Sequence, residues 1–204
     1  MALFEILSWI NFLALNVSIF LTFFFYILSV IPATREEKIG KRSWKLCAIY
    51  RILSDILFLI LIISILLWIW YPISVLNWRI SEHSLFLIII AILIAIPSFY
   101  ILIRALKDAG KETIEASKDS TMYRGIYKHI RHPQISGSIF LFIILCLILN
   151  SLFLLIWITS LMIFIIPIVI YFEEKDLIKR FGENYLLYKK NTGALIPKFW
   201  RKNN

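Results

Sequence analysis

An all-α integral membrane protein is the fold class this sequence predicts, on three observations. Hydrophobic residues make up 60% of the chain and charged residues 17%, against about half and about a quarter in an ordinary soluble domain. Several apolar runs reach the roughly 20 residues that a helix needs to cross a bilayer. No run alternates apolar and polar residues at strand length, which speaks against a closed barrel, the other way to satisfy backbone groups in lipid. The 204 residues then have room for one bundle of about five transmembrane helices and little else.

The first span is expected from about Leu3 to Ile31, stopping at Pro32. It lacks the basic start and small-residue cleavage site of a removed signal peptide, so it should stay as a permanent span. A short charged loop follows, from Arg35 to Lys45. The second span starts near Cys47 and ends at Tyr71–Pro72, with Ile56 to Tyr71 free of charge. Arg51 and Asp55, four residues apart in its first turns, read as an ion pair near the lipid interface. The third span runs from about Leu85 to Ile103, with a kink expected at Pro97.

The longest polar stretch, Arg104 to Gln134, leads into a helical hairpin at 135–172, broken at Asn150–Ser151. At about 1.5 Å per residue its second arm covers roughly 31 Å, whereas the first, Ile135 to Leu149, covers only about 22 Å and is short, thickened by its N-terminal flank, or incompletely crossing. The division implied is an N-terminal three-span region at 1–103 and a second region at 104–204 that contains the hairpin. Cys47 and Cys146 read as two unrelated buried thiols, and no metal site is expected.

Basic residues set the orientation. The segments 32–45, 104–134 and 173–204 hold five, seven and eight Lys or Arg, while 72–84 holds Arg79 alone. The positive-inside rule therefore puts the N-terminus outside and the C-terminus in the cytosol. The formal charge of +9 belongs to topology and lipid headgroups, with membrane lipids as partners and no nucleic acid. Richness in Ile, Lys and Asn points to a prokaryotic cell membrane.

Five of the six glycines follow residue 109, which marks the C-terminal half as the region with a shaped backbone. Within it, Gly125 to Gly137 contains Arg131-His132-Pro133. Pro133 suits the first turn of a helix, so Arg131 and His132 sit just before a helix N-terminus, suited to a carboxylate or phosphate, or to anchoring the span at the interface. Glu173-Glu174-Lys175-Asp176 follows the last span. Carboxylates there oppose the helix dipole and require partners. Because the hairpin returns, Glu173 must share a membrane face with Arg131 and His132. Finally, in Arg180 to Tyr188, Gly182 reads as a helix stop, and Tyr185 and Tyr188 share a face. They form either a soluble cap over the bundle mouth or an aromatic lid over a ligand.

This ordered set resembles the isoprenylcysteine carboxyl methyltransferase and phospholipid methyltransferase superfamily of integral membrane enzymes. The family pattern of G-x-Y-x-x-x-R-H-P, a helical hairpin, a Glu-Glu pair, F-G-x-x-Y-x-x-Y and a late proline corresponds to Gly125 to Pro133, 135–172, Glu173–Glu174, Phe181 to Tyr188 and Pro197. The resemblance covers roughly residues 104 to 200. It implies an S-adenosylmethionine-dependent methyltransferase with a cytosolic cofactor-binding cap and a lipid-like acceptor bearing a carboxylate, thiol or amine. Implied cofactor contacts are Tyr127, His132, Pro133, Gln134, Ile135 and Glu173, with Asp119, Ser120, Thr121 and Met122 matched by spacing. Arg131 and Glu174 are the implied catalytic pair. Ile135 replaces the Tyr common in the family, and Val169 stands where prenylcysteine enzymes carry an Arg, which puts prenylcysteine in doubt as the substrate. Two other readings stay open: an NADPH-dependent membrane reductase of sterol-reductase type, and a non-catalytic membrane protein that keeps the fold.

Overall fold

The computed structural model describes residues 2–113 and 124–198, and seven α-helices hold most of these described residues. They are α1 (Ala2–Ser29), α2 (Pro32–Ile39), α3 (Arg42–Leu67), α4 (Ser84–Ala109), α5 (Pro133–Ile148), α6 (Leu152–Phe181) and α7 (Glu183–Asn191). Helices α1, α3, α4 and α6 are long and apolar enough to cross a membrane, and α5 is a shorter apolar helix. The fold class expected from the sequence is therefore the one found. The short arm of the hairpin is short in fact: the 16 residues of α5 rise about 24 Å.

Local chemistry explains the boundaries. Pro32 does not merely stop α1; it opens α2, where a missing N–H costs nothing. The second span begins five residues before Cys47, at Arg42, because the charged loop winds into helix at its end. Pro97 lies inside α4, where Ser98 Oγ donates to Ile94 O at 2.6 Å. The hairpin turn uses Asn150 at φ 49° and Ser151 as N-cap, its hydroxyl accepting from Leu154 N. Helix α6 continues well past Glu173 and stops at Gly182, φ 57°, which also begins α7.

The outer faces of α1, α3, α4 and α6 are coated with exposed Leu, Ile, Val and Phe, as a helix facing lipid must be. Between helices, contact relies on close packing and polar links. Asn11 Nδ2 donates to Ser64 O at 3.1 Å and Ser54 Oγ to Thr22 O at 3.0 Å, joining α1 to α3. Gly137 lets α5 approach α4; a Cβ there would meet Leu102 Cβ at 3.0 Å. A core of Leu15, Ile19, Leu61, Ile65, Phe142, Cys146, Leu154 and Ile158 runs through α1, α3, α5 and α6. Cys47 and Cys146 are both buried and free, as two unrelated thiols.

The loops segregate. At one end Asn150 ties the hairpin turn to the 72–84 loop: its Oδ1 accepts from Ile80 N and Ser81 N, and its Nδ2 donates to Ser81 O. At the other end lie α2, the end of α4, the start of α5, the end of α6 and α7. Asp176 of α6, fully buried, accepts from Ala33 N at 3.2 Å and Thr34 N at 2.6 Å and so caps α2. Lys179 contacts Glu37 at 2.9 Å on the surface nearby.

Asp176→Ala leaves two N–H groups without their acceptor, a loss of about 1–3 kcal/mol. The melting midpoint in detergent is expected to fall by roughly 3–10 °C. Lys179→Ala, at an exposed pair, should move it far less. Equal shifts from both variants would remove the capping role.

Candidate functional site

The site is assembled at the end of the bundle where the basic loops gather. Its floor is a 3₁₀ turn, Gly125–Lys128, entered through Gly125 at φ 51°. A Cβ on that glycine would lie 2.0 Å from Asp108 Oδ2, so the backbone can approach α4 only because the side chain is absent. Asp108 uses the closeness, accepting from Ile126 N at 2.8 Å. The turn is thus held by the end of α4, and the chain passes from it through Ile130 into Arg131-His132-Pro133.

The acidic end of α6 meets that sequence directly. Arg131 Nε donates to Glu174 Oε1 at 2.8 Å, and Lys189 of α7 reaches Glu174 Oε2 at 2.6 Å. The His132 ring lies between both glutamates, with Nε2 3.3 Å from Glu174 Oε1 and Nδ1 3.2 Å from Glu173 Oε2. The second contact is an ion-pair distance without hydrogen-bond alignment, and Glu173 Oε2 has no hydrogen-bond partner in the protein. The return of the hairpin, read from sequence, therefore does bring Glu173 beside Arg131 and His132.

The C-terminal segment straps the cluster down, which sequence reasoning missed. Arg131 N donates to Gly193 O at 2.8 Å, His132 N to Ala194 O at 3.0 Å, and Ser136 Oγ to Leu195 O at 2.7 Å. Arg131 Nη1 also donates to the carbonyls of Lys189 and Thr192. The available signal was Gly193, where a Cβ would collide with Ile196 O. Tyr185 and Tyr188 do pack together, their rings 5.8 Å apart. Tyr185 is fully buried, and Tyr188 OH donates to Tyr127 O at 2.5 Å.

Burial alone would lower the affinity of His132 for its proton, but the carboxylates of Glu173 and Glu174 outweigh it and raise the pKa to about 9. The site thus holds an imidazolium at neutral pH. Burial first, and then the charge of Glu173, holds the Tyr127 phenol well above its ordinary range.

A polar cavity of about 100 Å³ opens here, lined by Tyr127, Arg131, His132, Pro133, Gln134, Ile135 and Glu173 from the predicted set. Gln134 Nε2 donates to Tyr127 OH at 3.2 Å. Glu174 is not in the lining; it stands behind, holding Arg131 and His132. Asp119, Ser120, Thr121 and Met122 lie outside the described residues. The sequence reading missed the other walls, namely Tyr26 of α1, Arg51 of α3, Asp108 and Ala109 of α4, and Glu112 and Thr113. Arg51 departs from its expected pairing: its guanidinium lies over the Tyr26 ring, 4.3 Å from the centroid, instead of forming an ion pair with Asp55. The polar cavity adjoins an apolar one of about 410 Å³ between α1, α3, α4, α5 and α6, and the two share Tyr26, Arg51, Thr113, Gln134 and Ile135.

The phospholipid methyltransferase family matches residues 81–184, just over half of the sequence and the whole run from α4 to the end of α6. The chain belongs to this family. The matched stretch contains the Gly125 turn, Arg131-His132-Pro133 and the glutamate pair, whereas Tyr26 and Arg51 precede it. Methanethiol S-methyltransferase of Pseudomonas deceptionensis is 26% identical over 164 residues, covering 69% of this chain and 56% of the relative. The chain therefore spans a little over half the length of the curated relative it matches. No solved structure matches it. Both names are those of methyltransferases.

The folded pKa of His132 lies above its ordinary 6.5, so the stability it contributes is fully present below about pH 6.5 and is lost as pH rises through about 9. The melting midpoint in detergent should fall across that window, and His132→Gln should flatten the fall. A wild-type midpoint that is level throughout would show that the imidazolium contributes nothing.

Proposed function

We propose that this protein is an S-adenosylmethionine-dependent membrane methyltransferase acting on a lipid-like or membrane-embedded acceptor. The observation that carries the reading is the meeting of a polar cavity built on His132 and Glu173 with an apolar cavity reached from between the helices. Their volumes together fall within the roughly 300–1,000 Å³ of ordinary ligand pockets.

The residues fit the cofactor. Thr113 Oγ1 is buried at the polar cavity without a hydrogen-bond partner, and Glu173 Oε2 has His132 Nδ1 at ion-pair distance but no aligned hydrogen bond. A buried polar group left so costs about 1–3 kcal/mol, which ammonium or hydroxyl groups of a ligand would offset. The start of α5, the His132 imidazolium and Arg131 supply positive potential for a carboxylate. When bound, S-adenosylmethionine supplies a methyl group on a sulfonium sulfur.

On this reading Glu173 binds the cationic or hydroxyl groups of the cofactor and His132 holds its carboxylate end. Gln134 and Tyr127, hydrogen-bonded to one another, form the adjoining wall with Pro133 and Ile135. Arg131 faces the cavity, and Glu174 keeps it aimed. The protein then contributes alignment and exclusion of water around a reactive methyl donor. Two further parts belong to the proposal: the N-terminus lies outside, and the site opens to the cytosol of a prokaryotic cell, with membrane lipids around the bundle.

Calorimetry in detergent tests the cofactor site. Wild type is expected to bind S-adenosylmethionine, and Glu173→Ala to bind at least about tenfold more weakly, a difference of about 1.4 kcal/mol. Equal affinity for both proteins would end the assignment. Incubation with labelled methyl donor and native lipids then identifies the acceptor from the labelled species.

A further inference from the structure

Arg51 is the one basic side chain between Cys47 and Tyr71. It stands about 14 Å along α3 from Arg42, where an ionisable group needs a reason to be. Its guanidinium rests against the face of Tyr26 and makes an ion pair with no carboxylate among the described residues. Among the five residues common to the two cavities, it alone carries a charge. Glu173 lines only the polar cavity, and Asp55 only the apolar one.

We propose that Arg51 binds the reacting end of the methyl acceptor, and that the acceptor reacts as an anion, a thiolate or a carboxylate, with its apolar tail in the larger cavity. The proposal rests on the methyl-transfer reading above. An acceptor whose tail lies among Phe23, Phe58, Ile139 and Met162 meets the polar cavity at the residues the two share, where Arg51 is the charged one. An anion brought there without a partner would bear an uncompensated desolvation cost. A guanidinium offsets it with charge-assisted hydrogen bonds, and stacking on a ring leaves its in-plane N–H groups available for them. A protonated amine in the same place meets a like charge at low dielectric and is disfavoured.

The reaction balances without a further reagent. A lone pair on the acceptor sulfur or oxygen forms the new bond to the methyl carbon. The carbon–sulfur bond of the donor breaks and leaves its electron pair on sulfur, giving a neutral thioether. A thiol acceptor has released its proton to solvent beforehand, and a carboxylate has none to lose.

The test uses the full-length protein in detergent as wild type, Arg51→Gln and Arg51→Lys, with labelled S-adenosylmethionine and octanethiol, octanoate or octylamine as acceptor. Wild type is expected to methylate octanethiol or octanoate in preference to octylamine, and the two anionic arms tell which nucleophile is used. Arg51→Gln should lower that rate about a hundredfold, and Arg51→Lys should recover it to within about tenfold. Calorimetry on all three proteins should give the same affinity for S-adenosylmethionine, which also reports an intact fold. The proposal is overturned if octylamine is the faster substrate, if neither anion is methylated, if Arg51→Gln keeps its rate within about threefold, or if that variant loses cofactor affinity. A wild type that binds no S-adenosylmethionine fails at the calorimetry step, before any acceptor is added, and overturns the methyl-transfer reading instead.

Discussion

The site depends on one charge cluster, in which the buried Arg131 and His132 and the partly exposed Lys189 surround the carboxylates of Glu173 and Glu174. The side chains of Arg131 and Glu174 keep only 10% and 7% of their exposure. Burying such charges is costly, and removing one partner from a buried pair typically costs about 3–5 kcal/mol. The cluster is therefore stable only when every member is met at once. That requirement draws the start of α5, the end of α6, α7 and the Gly193–Leu195 strap to one place. The positive ends come from a helix N-terminus and a C-terminal helix, and the negative ends from the exit of the longest apolar helix. The ends of α5, α6 and α7 acquire a fixed register there.

The membrane gives that register a depth. From Leu152 to Glu173 the rise along α6 is about 32 Å, so the cluster lies at about the thickness of the hydrocarbon layer from the far loop. Helix α6 runs on to Phe181, which lets Asp176 cap α2 and joins the N-terminal half to the same end. The polar cavity consequently has walls from both halves of the chain, including Tyr26 and Arg51, neither of which belongs to the motifs around it. The apolar cavity leads away from it between helices, so a molecule dissolved in the bilayer and a polar ligand from the aqueous side can meet at their common residues.

Much of this was legible in the sequence. Apolar runs of span length determined the kind of fold and located its five apolar helices, four of them long enough to cross, because lipid leaves the backbone no other arrangement, and Asn150–Ser151 placed the hairpin turn. The motif from Gly125 to Gly137, together with Glu173 and Glu174, named most of one side of the polar cavity, since a hairpin must return to the face it left. Helix ends were read less well: Pro32 was taken as a stop and proved to be a start, a distinction that depends on whether a partner such as Asp176 is waiting for the next N–H groups.

What the tertiary structure alone decided is which side chains from distant segments face one another. Arg51 and Asp55, at helical spacing, read as a pair, yet packing of α1 against α3 brings the Tyr26 ring to Arg51 and turns the guanidinium toward the cavity. The strap carried by Gly193 has no periodic signature, because its bonds end on backbone carbonyls some sixty residues away in sequence. Local pattern determines which residues must leave water and which must not; the partner each one finds is a property of how the helices cross, which no spacing along a single helix encodes.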